Sequence, residues 1–471
     1  MVTVLGGGVS GLAAAHYLLN RSLLPGEKIS LIEATAHLGG WMKSTRRPNN
    51  VIYEQGPRTI RPKGVQGANT LKLVEELGLS NKVKPIPYGH PATMNRMIYV
   101  DKKLHKLPTS MFSLFQKKEP FDKPLVFAAL KFLTSPKEIC NDDTMYNFVA
   151  RRFGKDIAEY AISPLICGIC AGDAKEISVK FLMRKLFEAE QSQSPMLKEV
   201  ILNLFAKTPM KDYESELLNK AKEEKWNVYS LEGGLELLPR TLEESLKERG
   251  VSIHLNAPCT SITFEGNGVK VKTGRSEHFS DHLISALPAL KLAPLLHPQH
   301  PDLSEELYKI PFVTVGVVNL TFPKNVLREE AFGFLVPPSQ KVPILGIVYD
   351  SCCFPSDCDQ TVLTVMMGGR FMDDHFGGKL DDAVALQTAV KYSKEILKIN
   401  DDPCDHKVSI LRECIPQYVV GHDKRLQRIY KYIKDRKIPL TLVGCSYEGV
   451  GVNDAIFSSK RGIDNIKLKI V

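Results

Sequence analysis

A chain of 471 residues, 43% hydrophobic and 24% charged, is long enough for two or three domains with real cores, which excludes a disordered or fibrous protein. Its formal charge of +9 is modest for that length and its Lys and Arg residues are spread along the chain, so a nucleic-acid partner is not indicated. The 10 cysteines, irregularly spaced, supply no disulfide framework, and no apolar stretch reaches membrane-spanning length.

Val2 to Leu5 is a short apolar run that reads as a buried parallel strand, followed directly by Gly6, Gly8 and Gly11 in the pattern G-x-G-x-x-G. Gly6 permits a tight turn, Gly8 lets a pyrophosphate approach the backbone, and Gly11 lets the next helix pack against the strand. Leu12 to Leu19 favours helix, whose N-terminal amides suit an anion. Ile29 to Ile32 reads as a second strand ending in Glu33, whose carboxylate can accept ribose hydroxyls. A strand starting at Val2 carries the expectation that no cleavable leader precedes the fold. The glycine-rich segment Ala36 to Ser44, with Gly39, Gly40 and Trp41, has no use in a nicotinamide site; it resembles the x-x-G-G-x-x-x-S/T segment that runs along the flavin in two-dinucleotide-domain flavoproteins, a likeness that implies FAD rather than NAD.

Further along, Leu71 to Leu77 reads as a helix closed by Gly78. From Pro91 to Pro209 the pattern is mostly helical, with Asp142 to Thr144 as a capping cluster before Met145, Phe148 and Val149. Phe121 to Leu133 is unusually apolar and flanked by Lys117, Lys118, Lys123 and Lys137, which suits a bilayer interface or a core helix. Cys167 and Cys170 form a lone C-x-x-C without a second pair to complete a zinc site, so they read as buried thiols, as do Cys352 and Cys353. Leu231 to Pro239 opens a helix through about Arg249. Strands are predicted at Val251 to Leu255, Thr260 to Phe264, Val269 to Val271 and Asp281 to Pro288. Val313 to Phe322, Ile344 to Tyr349 and Thr361 to Met367 fit a mixed sheet roofing a pocket. Leu440 to Gly444 is a buried strand, and Gly449 to Ala455 turns into the last helix.

Gly6 to Gly11, His37 to Trp41, Glu54 to Arg58, Asn95 to Tyr99, Gly333 to Leu335, Leu345 to Asp350, Ile415 to Tyr418 and Ser446 to Val450 together resemble the protoporphyrinogen oxidase family, animal mitochondrial type, over nearly the whole chain. The resemblance implies an α/β fold: an FAD-binding Rossmann-like domain of the p-hydroxybenzoate hydroxylase and amine oxidase type, a mixed-sheet substrate domain and a helical membrane-associated insertion. The corresponding segments are 1–90, 210–295 and 431–471 for FAD, 296–430 for substrate and 91–209 for the insertion. Implied FAD contacts are Gly6, Gly7, Gly8, Val9, Ser10, Gly11, Glu33, Ala34, Trp41, Gly56, Pro57, Arg58, Thr59, Cys259, Val450, Gly451 and Val452. Arg96 would bind a propionate, and Gly168, Phe332, Leu335, Val348 and Met366 would line a tetrapyrrole pocket. Two positions depart from the animal pattern: Phe334, where His is frequent, and Asp423, where a Trp stands beside the flavin.

The mechanism implied is hydride removal from a meso carbon to flavin N5, repeated until six electrons have left, with molecular oxygen as acceptor. The flavin carries the chemistry, so no catalytic side chain and no metal are expected, and Arg58 and Gly168 act as positioning groups. The resemblance further implies a peripheral protein of the inner mitochondrial membrane facing the intermembrane space, a homodimer, and contact with ferrochelatase. Two alternatives share the architecture: a flavin amine oxidase, and a flavin-free prenyl-protein binding module of the Rab GDP-dissociation inhibitor type.

Overall fold

The computed structural model describes residues 1–21, 28–108, 112–192, 213–266, 268–274 and 276–466. The expectation of helix up to Pro209 therefore lies outside the described residues beyond Ser192.

Five segments far apart in the chain meet in one parallel sheet, in the order Leu440–Leu442, His282–Ser285, Val2–Leu5, Ile29–Ile32, Ser252–His254. Every residue of Val2–Leu5 and Ile29–Ile32 is buried, as continuous apolar strands covered on both faces require. Helix Val9–Asn20 covers one face and packs against the last helix, Val452–Asn465. Ser459 Oγ donates to Ser10 O at 2.7 Å and fixes that contact. A three-stranded antiparallel sheet, Cys259–Glu265, Gly268–Thr273 and Glu277–Ser280, adjoins it.

The second large sheet has seven strands in the order Asp405–Pro416, Phe312–Phe322, Thr361–Gly368, Ile344–Tyr349, Gly333–Leu335, Arg96–Val100, Lys103–Lys106. It is antiparallel except where Gly333–Leu335 runs parallel to Arg96–Val100. One face buries Met97, Phe334, Ile347, Val365 and Val318 in the core that includes helix Asp382–Leu397. The opposite face looks toward the helix Ser163–Cys170.

That helix belongs to a helical cluster packed around Met145, Phe148, Ile166 and Phe187. Its helix Met145–Arg152 starts where Thr144 Oγ1 accepts from Asn147 N at 3.1 Å, the expected cap. Helix Gly64–Glu76 runs longer than predicted but ends as predicted, with Gly78 at φ +71° and Leu79 N donating to Val74 O at 3.0 Å.

Two readings of the sequence are corrected. The helical run expected from Pro91 gives way after the short helix Pro91–Met94 to a hairpin, Arg96–Val100 and Lys103–Lys106, which joins the seven-stranded sheet. Tertiary pairing with Gly333–Leu335 overrides local helix propensity there. Leu231 does not open a helix: it ends the buried strand Trp226–Leu231, and Gly233 and Gly234, at φ +82° and +104°, turn the chain before helix Leu237–Glu248 begins.

Candidate active site

The glycine turn is built as a dinucleotide cradle. A Cβ on Gly11 would stand 1.8 Å from Gly6 O, so only glycine lets helix Val9–Asn20 lie this close to its strand. A Cβ on Gly8 would meet only Gly40 Cα at 4.0 Å, which leaves free space at the N-terminus of that helix, where Val9 and Ser10 begin its first turn. The Gly39–Gly40 loop lies against this turn, since Gly39 N donates to Gly7 O at 2.9 Å. Glu33 Oε2 accepts Gly7 N at 2.8 Å, and Oε1 accepts both Thr35 N and Thr35 Oγ1 at 2.8 Å. A carboxylate has about four acceptor positions, so these three bonds aim it and leave capacity for a hydroxyl. These residues fit an adenosine pyrophosphate.

Three more segments border the cradle. Ala257 N donates to Glu33 O at 2.9 Å, which brings the strand start at Cys259 alongside Glu33 and the exposed Ala34. The Cys259 thiol is pushed up to about 11 by burial, so it is a neutral packing group. Gly56 must be glycine because a Cβ would stand 2.2 Å from Trp41 O, and it leads into the half-buried Pro57, Arg58 and Thr59. The Trp41 side chain itself is 42% exposed. Val450, Gly451 and Val452 form the turn into the last helix, with Asp454 Oδ2 accepting Gly451 N at 3.3 Å. Tyr418 Oη accepts Gly449 N at 2.8 Å and donates to Cys445 O, bracing that turn from the mixed-sheet side.

The pocket wall follows from strand register. Residues directly opposite one another in adjacent strands share a face, and so do residues two apart. Arg96 lies opposite Gly333, Gly333 opposite Val348, and Val348 opposite Thr364. One step along, Ile98, Leu335, Gly346, Met366 and Val317 form the next row. Arg96, Leu335, Val348 and Met366 therefore share a face, as their proposed common role needs. Gly168 comes down onto it from helix Ser163–Cys170: a Cβ there would stand 2.8 Å from Leu335 Cδ2. Phe332, also expected to line the pocket, packs instead in a separate cluster with Ile86, Ala92, Val228 and Cys353. Phe334 is on the other face, buried against Tyr99 and Tyr349, so its departure from the family pattern lies outside the pocket wall.

Reading the sequence missed a buried polar group at the end of this face. Asn319 Nδ2 donates to Thr364 Oγ1 at 2.8 Å, and Thr364 Oγ1 donates to Asp350 Oδ2 at 2.5 Å. Asp350 Oδ1 in turn pairs with Arg58 Nε. Beside them Glu54 accepts Leu235 N and Ser44 Oγ, each at 2.7 Å, and burial pushes its carboxyl up to about 7. The only signal available was an acid and an arginine four residues apart around Gly56 and Pro57.

Asp423 forms a two-pronged ion pair with Arg184, 2.6 Å on each side, which holds its carboxyl below the usual range. Cys167 and Cys170 are free thiols whose Sγ atoms bond to Gly172 O and Ile166 O, and burial raises both pKa values, that of Cys170 to about 12. Among the described residues no group of three or more His, Cys, Asp or Glu side chains could hold a metal.

A dinucleotide cradle assembled from first and last segments, beside an apolar sheet face with a cation at its edge, defines a flavin-dependent oxidoreductase fold. Residues 9–465 match the family described as flavin containing amine oxidoreductase. Protoporphyrinogen oxidases from Homo sapiens and Bos taurus are each 40% identical over 98% of this chain and 97% of their own length. Cyclohexylamine oxidase from Brevibacterium oxydans IH-35A shares the fold, with TM-score 0.67, 14% identity and 98% of both chains covered. The chain belongs to the flavin containing amine oxidoreductase family and, within it, to the protoporphyrinogen oxidases. Its cofactor is FAD.

Proposed function

We propose that this chain oxidises protoporphyrinogen IX to protoporphyrin IX, the penultimate step of haem biosynthesis. Six electrons leave the substrate in three two-electron steps, and three molecules of dioxygen become three of hydrogen peroxide. The observation that carries this reading is the shared sheet face bearing Arg96, Leu335, Val348 and Met366, with Gly168 opposite Leu335. Protoporphyrinogen has the matching form, a broad apolar ring with carboxylates at one edge.

Bound FAD supplies the hydride acceptor. The rest of the task is positioning. Arg96 pairs with a propionate and sets the ring's in-plane orientation. Leu335, Val348 and Met366 exclude water from the ring, and Gly168 lets its helix come close enough to complete the wall. Arg58, paired with Asp350, fixes the Gly56 to Thr59 segment against the cofactor. No side-chain nucleophile enters the reaction.

In the same reading the chain divides into the five segments named above, except that the hairpin Arg96–Lys106 of segment 91–209 belongs with the seven-stranded sheet of segment 296–430. The protein acts at the inner mitochondrial membrane, on its intermembrane-space side, as a peripheral homodimer in contact with ferrochelatase. Support for membrane contact comes from helix Val126–Thr134, where Phe127, Leu130 and Leu133 are 52%, 57% and 52% exposed. Among the described residues no helix is long and apolar enough to cross a membrane. The dimer, the ferrochelatase contact and the facing side rest on the resemblance.

The deciding experiment is a visible spectrum followed by anaerobic addition of protoporphyrinogen. Bleaching of the flavin bands supports the reading, and an unchanged spectrum overturns it.

A further inference from the structure

The proposed substrate carries two propionates on neighbouring pyrroles, and the site as read so far supplies a cation for one. The inference here rests on that substrate reading. Ile60 exchanges two backbone hydrogen bonds with Tyr229, each 2.8 Å, and across the same strand Tyr229 also pairs with Pro85. The segment carrying Arg61 and Lys63 is thereby drawn toward the Val83–Pro87 strand and the residues after it. Lys63 Nζ sits 4.9 Å over the ring of Tyr88. From Tyr88 the chain passes through helix Pro91–Met94 to Arg96.

Arg61 is also tied to the cofactor side, because Asn453 Nδ2 in the first turn of the last helix donates to Arg61 O at 2.8 Å. Arg61 and Arg96 are both exposed. Among the described residues neither Arg61, Lys63 nor Arg96 has an acidic partner. Cations gathered with no acid between them make a positive field that an anion relieves.

We propose that Arg61 binds the second carboxylate of the substrate, so that the dicarboxylate edge of the ring straddles Arg61 and Arg96. A planar guanidinium pairs with a carboxylate through two parallel hydrogen bonds, which would fix that edge against the Gly56 to Thr59 segment as well as against the sheet. Lys63, held over Tyr88, keeps the mouth positive without being drawn away.

The test compares the free acid of protoporphyrin IX with its dimethyl ester as binding probes for the holoenzyme, followed by porphyrin fluorescence, alongside steady-state oxidation of protoporphyrinogen. Arg61→Gln should weaken the diacid by about tenfold or more and leave the dimethyl ester unchanged. KM should rise with little change in kcat, flavin content should be unaltered, and Arg61→Lys should recover part of the loss. An equal loss for diacid and ester, or no loss for the diacid, would overturn the role of Arg61. A wild type that binds the diacid through Arg61 yet does not oxidise protoporphyrinogen would instead overturn the substrate reading.

Discussion

Arg58 and Asp350 meet as an ion pair, Nε to Oδ1 at 3.1 Å, with only 12% and 14% of their side chains exposed. Asp350 follows the strand that carries Val348, whereas Arg58 stands in the segment that borders the cofactor cradle. The pair thus fastens the pocket wall to the flavin side, and the Asn319 to Thr364 hydrogen-bond chain fastens Asp350 to the sheet.

Removing one partner of a buried pair leaves the other charge uncompensated, at a cost of about 3 kcal/mol. Asp350→Asn should therefore lower the melting temperature of the holoenzyme and raise KM. Arg58→Gln combined with Asp350→Asn should be less damaging than the two single losses added together. Strict additivity of the three melting curves would show that the pair is not coupled.

Glu54 gives the stability a pH dependence of definite sign. Its folded pKa is about 7 against an ordinary 4.5, raised first by burial. Across that window the folded chain keeps a proton that the unfolded chain has released, so its stability contribution is complete at low pH and falls as pH rises toward 7. The span corresponds to about 3 kcal/mol at most. Urea midpoints should fall between about pH 5 and about pH 8. Glu54→Gln, which keeps an acceptor for Leu235 N, should flatten that slope, and an unchanged slope would assign it to other groups.

Two glycines of one turn should fail in different ways. Gly8→Val adds atoms where the protein leaves space, so the variant should fold, with normal far-ultraviolet circular dichroism, and purify largely without flavin. Gly11→Ala drives a Cβ into Gly6 O and should lose soluble protein altogether. A yellow, fully loaded Gly8→Val variant would remove the pyrophosphate from this turn.

Helix Val126–Thr134 offers a test of membrane contact. Its exposed Leu130 can take a charge without disturbing Phe132, which is buried against Phe153 with ring centroids 5.0 Å apart. Leu130→Glu should shift the protein from the vesicle fraction to the supernatant in a flotation assay while leaving turnover of detergent-dispersed substrate unchanged. Equal flotation of variant and wild type would place the contact elsewhere.

The cofactor half was readable because its signals are local. Strand, glycine spacing, helix and Glu33 lie within one stretch, and every one of those elements is present. Cap residues such as Thr144 and the Gly78 stop were legible for the same reason. What escaped depends on partners distant in the chain: the strand at Arg96 exists through its pairing with Gly333, and the acid of Arg58 arrives from Asp350. Trp226–Leu231 was hidden because its burial comes from the core around it, with Trp and Tyr amid Asn and Ser giving no clean alternation.

The order of strands in the parallel sheet bears on how the protein is made. Its edge strand Leu440–Leu442 and the helix after it are synthesised after every other strand of the sheet, yet they complete it beside His282–Ser285 and clasp the first helix through Ser459 and Ser10. A growing chain therefore carries the Gly6 to Gly11 turn long before the strand and helix that complete its sheet exist. A stop upstream of Leu440 removes at once the edge strand paired with His282–Ser285 and the helix packed on Val9–Asn20, so it leaves the glycine turn in an unfinished sheet.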